Sequence, residues 1–155
     1  MSKTTFIPFW AILSISMLML TYGCTKPEED DPSSYVETIE YETATIQVGT
    51  SYGYNSHIIT YDGEYLIAES YHTYNGDFET FIASVGKVEG LSAINTIPAN
   101  FYTEAACVAG NGYVTRVNKT GSNYFTYCRL FVTEIVKDAD GNPLAVKLRY
   151  ANFSL

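Results

Sequence analysis

Between Thr126 and Tyr150 the side chains change chemistry with a period of two. Thr126, Cys128, Leu130 and Val132 alternate with Tyr127, Arg129, Phe131 and Thr133, so the two sets fall on opposite faces only if the backbone is extended. Asp138-Ala139-Asp140-Gly141-Asn142 then reverses the chain around an Asp-Gly pair. On the return, Leu144, Val146, Leu148 and Tyr150 share one face, and Lys147 and Arg149 the other. The segment predicts a half-buried antiparallel hairpin with its polar side in water.

The same punctuation recurs upstream. Tyr61-Asp62-Gly63-Glu64 and Tyr74-Asn75-Gly76-Asp77 read as tight turns, and Asn118 to Asn123 as a longer hairpin loop. Alternation and turn signals together predict strands at about 37–48, 56–61, 64–72, 77–88, 104–109, 112–118, 124–137 and 143–151. Between Gly90 and Asn100 the alternation breaks. Leu91, Ile94 and Ile97 recur every third residue before Pro98, which predicts a short helical turn near 91–97, plugging one end of a barrel. The predicted fold is all-β and mostly antiparallel, a small barrel or sandwich of SH3-like proportions.

Before this domain the composition changes twice. Lys3 and the apolar run Phe6 to Leu20 lead to Gly23-Cys24, after which Thr25 to Ser34 carries four consecutive acids, Pro27, Pro32 and two serines. One cation, an apolar stretch and small or polar residues at a cleavage point form a secretory signal, and a cysteine at the junction makes it a lipoprotein signal. The alternative is a retained span, but that needs roughly 20 apolar residues, and this run is shorter and holds Pro8, Ser14 and Ser16. The expected organisation is a signal peptide at 1–23, a lipidated Cys24 with an acidic flexible tether over 24–34, and one β domain over 35–155. Tyr22 is larger than the residue a bacterial lipobox usually holds there. Thr25 follows the cysteine instead of the aspartate that retains lipoproteins in the inner membrane, so an outer-membrane address is expected, at the cell surface or on the periplasmic face.

With Lys3 removed from the 9 basic residues, 8 face the 17 acidic ones. Nucleic-acid binding needs a concentrated basic face, so it is excluded as a function class. Docking on anionic lipid by charge is excluded for the same reason. The membrane partner is reached through the lipid on Cys24.

Candidate chemistry is sparse. Cys107 and Cys128 either pair in an oxidising envelope or sit as two small buried core residues. His57 and His72 are too far apart in sequence for any H-x₃-H pair, and both read as exposed strand or loop residues. Asp138, Asp140 and Asn142 alternate oxygen ligands, but the twelfth position of such a calcium loop is Arg149. Gly110-Asn111-Gly112 runs into a strand and not into the helix a phosphate loop requires. No metal site, cofactor or catalytic set is identified.

Tyrosine is the one residue type above background, with 14 in the chain. Tyr52, Tyr54, Tyr61, Tyr65, Tyr71 and Tyr74 fall within a short span. They suit strand and core use as well as a binding face of flat rings with polar tips. Tyr52 and Tyr54, flanking Gly53 in an expected loop, are the leading candidates for exposed binding residues. Tyr71 and Tyr74, beside His72 and the Asn75-Gly76 turn, come next.

Val85-Gly86-Lys87-Val88-Glu89-Gly90-Leu91, Ile97-Pro98, Gly110-Asn111-Gly112-Tyr113-Val114-Thr115-Arg116 and Tyr127-Cys128-Arg129-Leu130-Phe131-Val132 resemble, in that order, a family of Bacteroides-group lipoproteins built on a domain of unknown function. Members often carry tryptophan where this chain has Phe101-Tyr102, and alanine at the position of Cys128. The resemblance implies the envelope address and the β fold and brings no activity with it. The expected function is a non-catalytic binding module of the outer membrane, contacting a glycan or an envelope protein. The alternative is a structural or accessory subunit of an envelope assembly, joined by strand addition.

Overall fold

The computed structural model describes residues 39–153. The expected signal peptide, Cys24 and the acidic tether lie outside them. Ten strands form: β1 (Glu42–Gln47), β2 (Thr50–Tyr54), β3 (His57–Tyr61), β4 (Tyr65–Ala68), β5 (Tyr71–Thr73), β6 (Gly76–Lys87), β7 (Glu104–Ala106), β8 (Asn111–Lys119), β9 (Phe125–Lys137) and β10 (Pro143–Asn152). They make a six-stranded sheet in the order β1-β10-β9-β8-β6-β5 and a four-stranded sheet in the order β2-β3-β4-β7. All pairings between these strands are antiparallel. The all-β fold class is as the sequence predicts, and the four expected hairpins at 61–64, 74–77, 118–123 and 138–142 all form.

The two sheets are stitched along both seams. At the first, the chain leaves β1 and crosses to the small sheet within two residues. Val48 N still donates to Leu144 O of the large sheet at 2.9 Å, while Gly49 N already donates to Tyr61 O of the small one at 2.6 Å. Gly49 has φ +78, which a residue without Cβ adopts freely. At the second seam, Tyr102 and Ile82 exchange bonds of 2.7 and 2.9 Å, and Ala68 N donates to Thr103 O at 2.7 Å. Both seams are closed by backbone hydrogen bonds, so the sandwich approaches a barrel.

The structure departs from the sequence reading in three places. The stretch 64–72 is two strands, because the chain changes sheets after Ala68. Thr50–Tyr54, expected as a loop, is a strand that pairs with β3 through Tyr52↔Ile59 and Tyr54↔His57. Leu144, expected on the buried face, is exposed, because the register slips between Pro143 and Ala145 and leaves it unpaired.

The interior between the sheets is filled from one face of each strand. Ile46, Ile59, Leu66, Ile82, Leu130, Val132, Val146 and Leu148 surround three buried tyrosines, Tyr61, Tyr113 and Tyr150. A second cluster lies on the opposite face of the large sheet. Val114 and Ala151 are covered there by Leu91 and Ile94, with Val85, Phe101, Tyr127, Phe131 and Phe153 at the margin. The expected helical turn forms as a 3₁₀ turn at Leu91–Ala93. It covers this outer face and does not plug a barrel end.

The cover sits close to the sheet. A Cβ on Gly112 would stand 2.8 Å from Ile94 Cδ1 and from Val85 Cγ2. Gly112→Ala is therefore expected to destabilise the fold by about 1–3 kcal/mol through overpacking, read by urea denaturation. Ile94→Ala added to it should recover part of that loss, making the double mutant less than additive. An additive pair would show that the two residues do not share this contact.

Candidate functional site

A concavity lies at one end of the sandwich, where the β2–β3 hairpin meets the start of β9 and the end of β10. The hairpin turns on Asn55 and Ser56, with φ 44 and 72. Two successive left-handed residues make a primed turn, whose twist matches the strands it joins. Asparagine tolerates this region. Serine pays a strain of about 1 kcal/mol that glycine would avoid. Asn55 Nδ2 donates to Asn152 Oδ1 at 2.9 Å, which ties the hairpin tip to the end of β10.

His57 begins β3 and points inward; it is 3 % exposed. That corrects the reading of it as an exposed strand or loop residue. Strand alternation from Ile59 and Tyr61 brings its ring to the same buried face. Nδ1 lies 2.8 Å from Thr115 Oγ1 and Nε2 lies 3.3 Å from Thr126 Oγ1. Thr115 Oγ1 spends its proton on Cys128 O at 3.3 Å, so it accepts from His57 Nδ1–H. Thr126 then donates to Nε2, and the ring is neutral with both nitrogens occupied. Burial pushes its pKa down from 6.5 to about 4.

Above this floor stand aromatic walls. Tyr124 is 74 % exposed and Phe125 40 %. The loop before them is ordered by Ser122, whose N donates to Lys119 O at 2.9 Å and whose Oγ accepts from Tyr124 N at 3.0 Å. Phe125 and Tyr127 have ring centroids 6.5 Å apart. A cavity of about 510 Å³ is lined by Asn55, His57, Tyr124, Phe125, Tyr127 and Asn152, among others. A neighbouring one of about 260 Å³ shares Asn55, Tyr124 and Thr126 and adds Phe78 and Lys119. The shared residues make the two one groove, divided by the Tyr124 side.

The four tyrosines singled out from sequence have different fates. Tyr52 and Tyr54 are not in an exposed loop. Alternation along β2 turns both inward and leaves Gly53 outside. They pack on Tyr150 with centroids 5.5 and 4.4 Å away, and Tyr52 OH meets Tyr150 OH. Tyr71 stacks flat on Phe78, at 5.0 Å and 6°, one ring behind the wall of the smaller cavity. Tyr74 is fully exposed at the β5–β6 turn. The groove residues Asn55, Asn152, Tyr124 and Phe125 escaped the sequence reading. One signal was there, since two adjacent aromatics at the start of a strand cannot both face the core.

Other candidates resolve as structure. Cys107 and Cys128 are free and buried. Burial raises each thiol to about 12, helped at Cys107 by Asp62. Asp138 gives one carboxylate oxygen to Asp140 N and Asn142 N and the other to Asn142 Nδ2, at 2.8–3.0 Å. The turn thus engages both oxygens of Asp138 in its own hydrogen bonds. His72 is exposed and bound through Nδ1 to Asp77. Among the described residues no three His, Cys, Asp or Glu side chains gather as a metal site, and no helix is long and apolar enough to cross a membrane.

No family model, curated protein or solved structure matches this chain. What the groove does must be read from its own chemistry.

The histidine floor makes one such reading testable through stability. The unfolded chain protonates His57 near 6.5 and the folded chain near 4. The stability contributed by the neutral ring is complete above pH 6.5 and is lost as pH falls toward 4. A neutral replacement lacks this loss. The stability gap between the native protein and His57→Gln should therefore narrow by about 2 kcal/mol between roughly pH 7.5 and 4.5. A gap that does not change with pH would mean that the ring is already protonated or exposed.

Proposed function

We propose that this chain is an exported, lipid-anchored, non-catalytic binding domain of the outer membrane, and that the groove at the end of the sandwich holds a glycan. The observation that carries the proposal is the pairing of the exposed Tyr124 and Phe125 rings with the amides of Asn55 and Asn152 along one cavity. Aromatic faces take the apolar face of a pyranose ring, while amides both donate to and accept from its hydroxyls. A strained hairpin tip tethered at the rim supports the same reading, because such strain collects at binding sites. Catalysis has no comparable support. The groove's histidine is a weak base with both nitrogens engaged, and both thiols are held protonated.

The address rests on the leader and on the resemblance to Bacteroides-group lipoproteins. Gly23–Cys24 follows an apolar run and precedes an acidic tether, which would let the domain sample the surface near its anchor. Cys24→Ser is expected to abolish incorporation of a palmitate analogue and move the protein out of the membrane fraction. Labelling that survives the change would place the lipid elsewhere or remove it from the account.

For the groove, Tyr124→Ala should weaken retention on a bound polysaccharide by at least about 2 kcal/mol, roughly thirtyfold. Its exposed ring contributes little to packing, so the melting temperature should hold. Equal binding by the variant would remove Tyr124 from the site. A second reading, assembly by strand addition, is favoured by β5, three residues long and last in the order of the large sheet. It predicts stoichiometric protein partners in detergent extracts.

A further inference from the structure

We infer that the ligand of this groove is an acidic glycan, a polysaccharide bearing carboxylate or sulfate groups; the inference rests on the groove's being a glycan site. The starting point is charge. The chain carries net charge −8, yet neither cavity of the groove is lined by an aspartate or a glutamate. One cation lines it instead, and two more pack against aromatic residues that line it.

Lys119 lines the smaller cavity directly. Its aliphatic stem passes over Gly76, where a Cβ would stand 3.0 Å from Lys119 Cε. Asp77 precedes Phe78, the cross-strand partner of Lys119, and its carboxylate is bound to His72. Arg116 packs its guanidinium against Phe125 of the wall at 5.3 Å, and against Phe81 and Phe101 at 5.1 and 4.8 Å. Arg129, only 8 % exposed, lies 4.6 Å from the ring of Phe153, which also lines the larger cavity.

None of the three has a carboxylate within 4.0 Å among the described residues, where the ion pairs are Lys147–Glu134 and His72–Asp77. The Nε atoms of Arg116 and Arg129 are buried without a hydrogen-bond partner. Arg129 has one neutral acceptor, Ile94 O, at 3.3 Å. A buried or half-buried cation is ordinarily paired, because desolvation without a counter-charge is expensive. Rings and one carbonyl compensate these two only in part, and their field is felt along the walls that Phe125 and Phe153 form. In a molecule this acidic, such a local positive region concentrates anions where the rest of the surface repels them. The flat rings and amides beside it select a sugar over a simple anion.

The test uses the full-length protein in detergent and three immobilised probes: polygalacturonate, dextran sulfate and neutral dextran, with polyglutamate as a charge control. Retention on either acidic polysaccharide, with neutral dextran and polyglutamate left unbound, is the expected result, and the preferred one identifies the substituent. Lys119→Gln should cut that retention at least about tenfold, as should raising salt from about 0.05 to 0.5 M. Lys147→Gln, whose partner is Glu134, should leave it unchanged, and both variants should melt like the native protein. Equal, salt-insensitive binding of neutral dextran that Tyr124→Ala still abolishes would overturn the acidic-glycan inference and leave the glycan site standing. Binding of polyglutamate as strong as polygalacturonate would overturn it in favour of charge alone, pointing to an acidic protein partner. If none of the polysaccharides is retained, both readings fall together.

Discussion

The fold depends on giving a partner to each of three buried phenols. After residue 23 the chain contains no tryptophan and no methionine, so tyrosine supplies the large volumes of the core. Each brings a hydroxyl that costs several kcal/mol if buried unbonded. Tyr150 OH donates to Glu42 Oε2 of β1 at 2.9 Å and meets Tyr52 OH of β2, so one ring joins both sheets at the first seam. Tyr113 OH donates to Ala106 O at 2.7 Å and accepts from Val108 N at 2.9 Å, which fixes the end of β7 over β8. Tyr61 OH closes the β3–β4 turn on Gly63 O at 2.8 Å. The rings that fill the core therefore also brace the first seam, the β3–β4 turn and the end of β7 through their hydroxyls.

The large sheet is covered on both faces, which is unusual for the polar side of an antiparallel sheet. The outer cover is a loop anchored by one 3₁₀ turn, and it needs Gly112 flat beneath Ile94. That cover is why Arg129 is buried at a position where alternation alone promises water. Its guanidinium reaches back to Ile94 O in the covering segment, so the loop and the cation hold each other. Removing the loop would expose Val114 and Ala151, and removing the arginine would orphan the carbonyl.

What could be read in the sequence followed turn chemistry. Asp62-Gly63, Asn75-Gly76 and Gly141 each mark a turn whose residues allow few other backbones, and Asp62 and Asp138 bind the turn amides through their own carboxylates. The β2–β3 turn was missed because Asn55-Ser56 has no glycine, although it adopts the same left-handed pair. With the turn unseen, β2 read as a loop, Tyr52 and Tyr54 as exposed, and His57 as a surface residue. One unrecognised turn thus displaced three side-chain assignments. Arg129 was misjudged for a different reason, since what buries it comes from far along the chain and leaves no trace in local alternation. The groove was the least legible feature, assembled from the tips of four strands whose meeting is a property of the closed seams.

Arg116 and its aromatic neighbours stiffen the wall of the groove. Arg116 lies between Phe81, Phe101 and Phe125, and Tyr127 is braced by Phe101 on one side and Phe125 on the other. An exposed aromatic pair on a bare loop would lose rotamer freedom on binding, at about 0.5–1.5 kcal/mol per side chain. Here Phe125 and Tyr127 are already held by Arg116 and Phe101. Tyr124 stands 74 % exposed beside them. On the glycan reading proposed above, a wall fixed in advance suits a repeating, chemically uniform ligand better than a deep, shape-selective pocket would, because each unit presents the same face to the same rings.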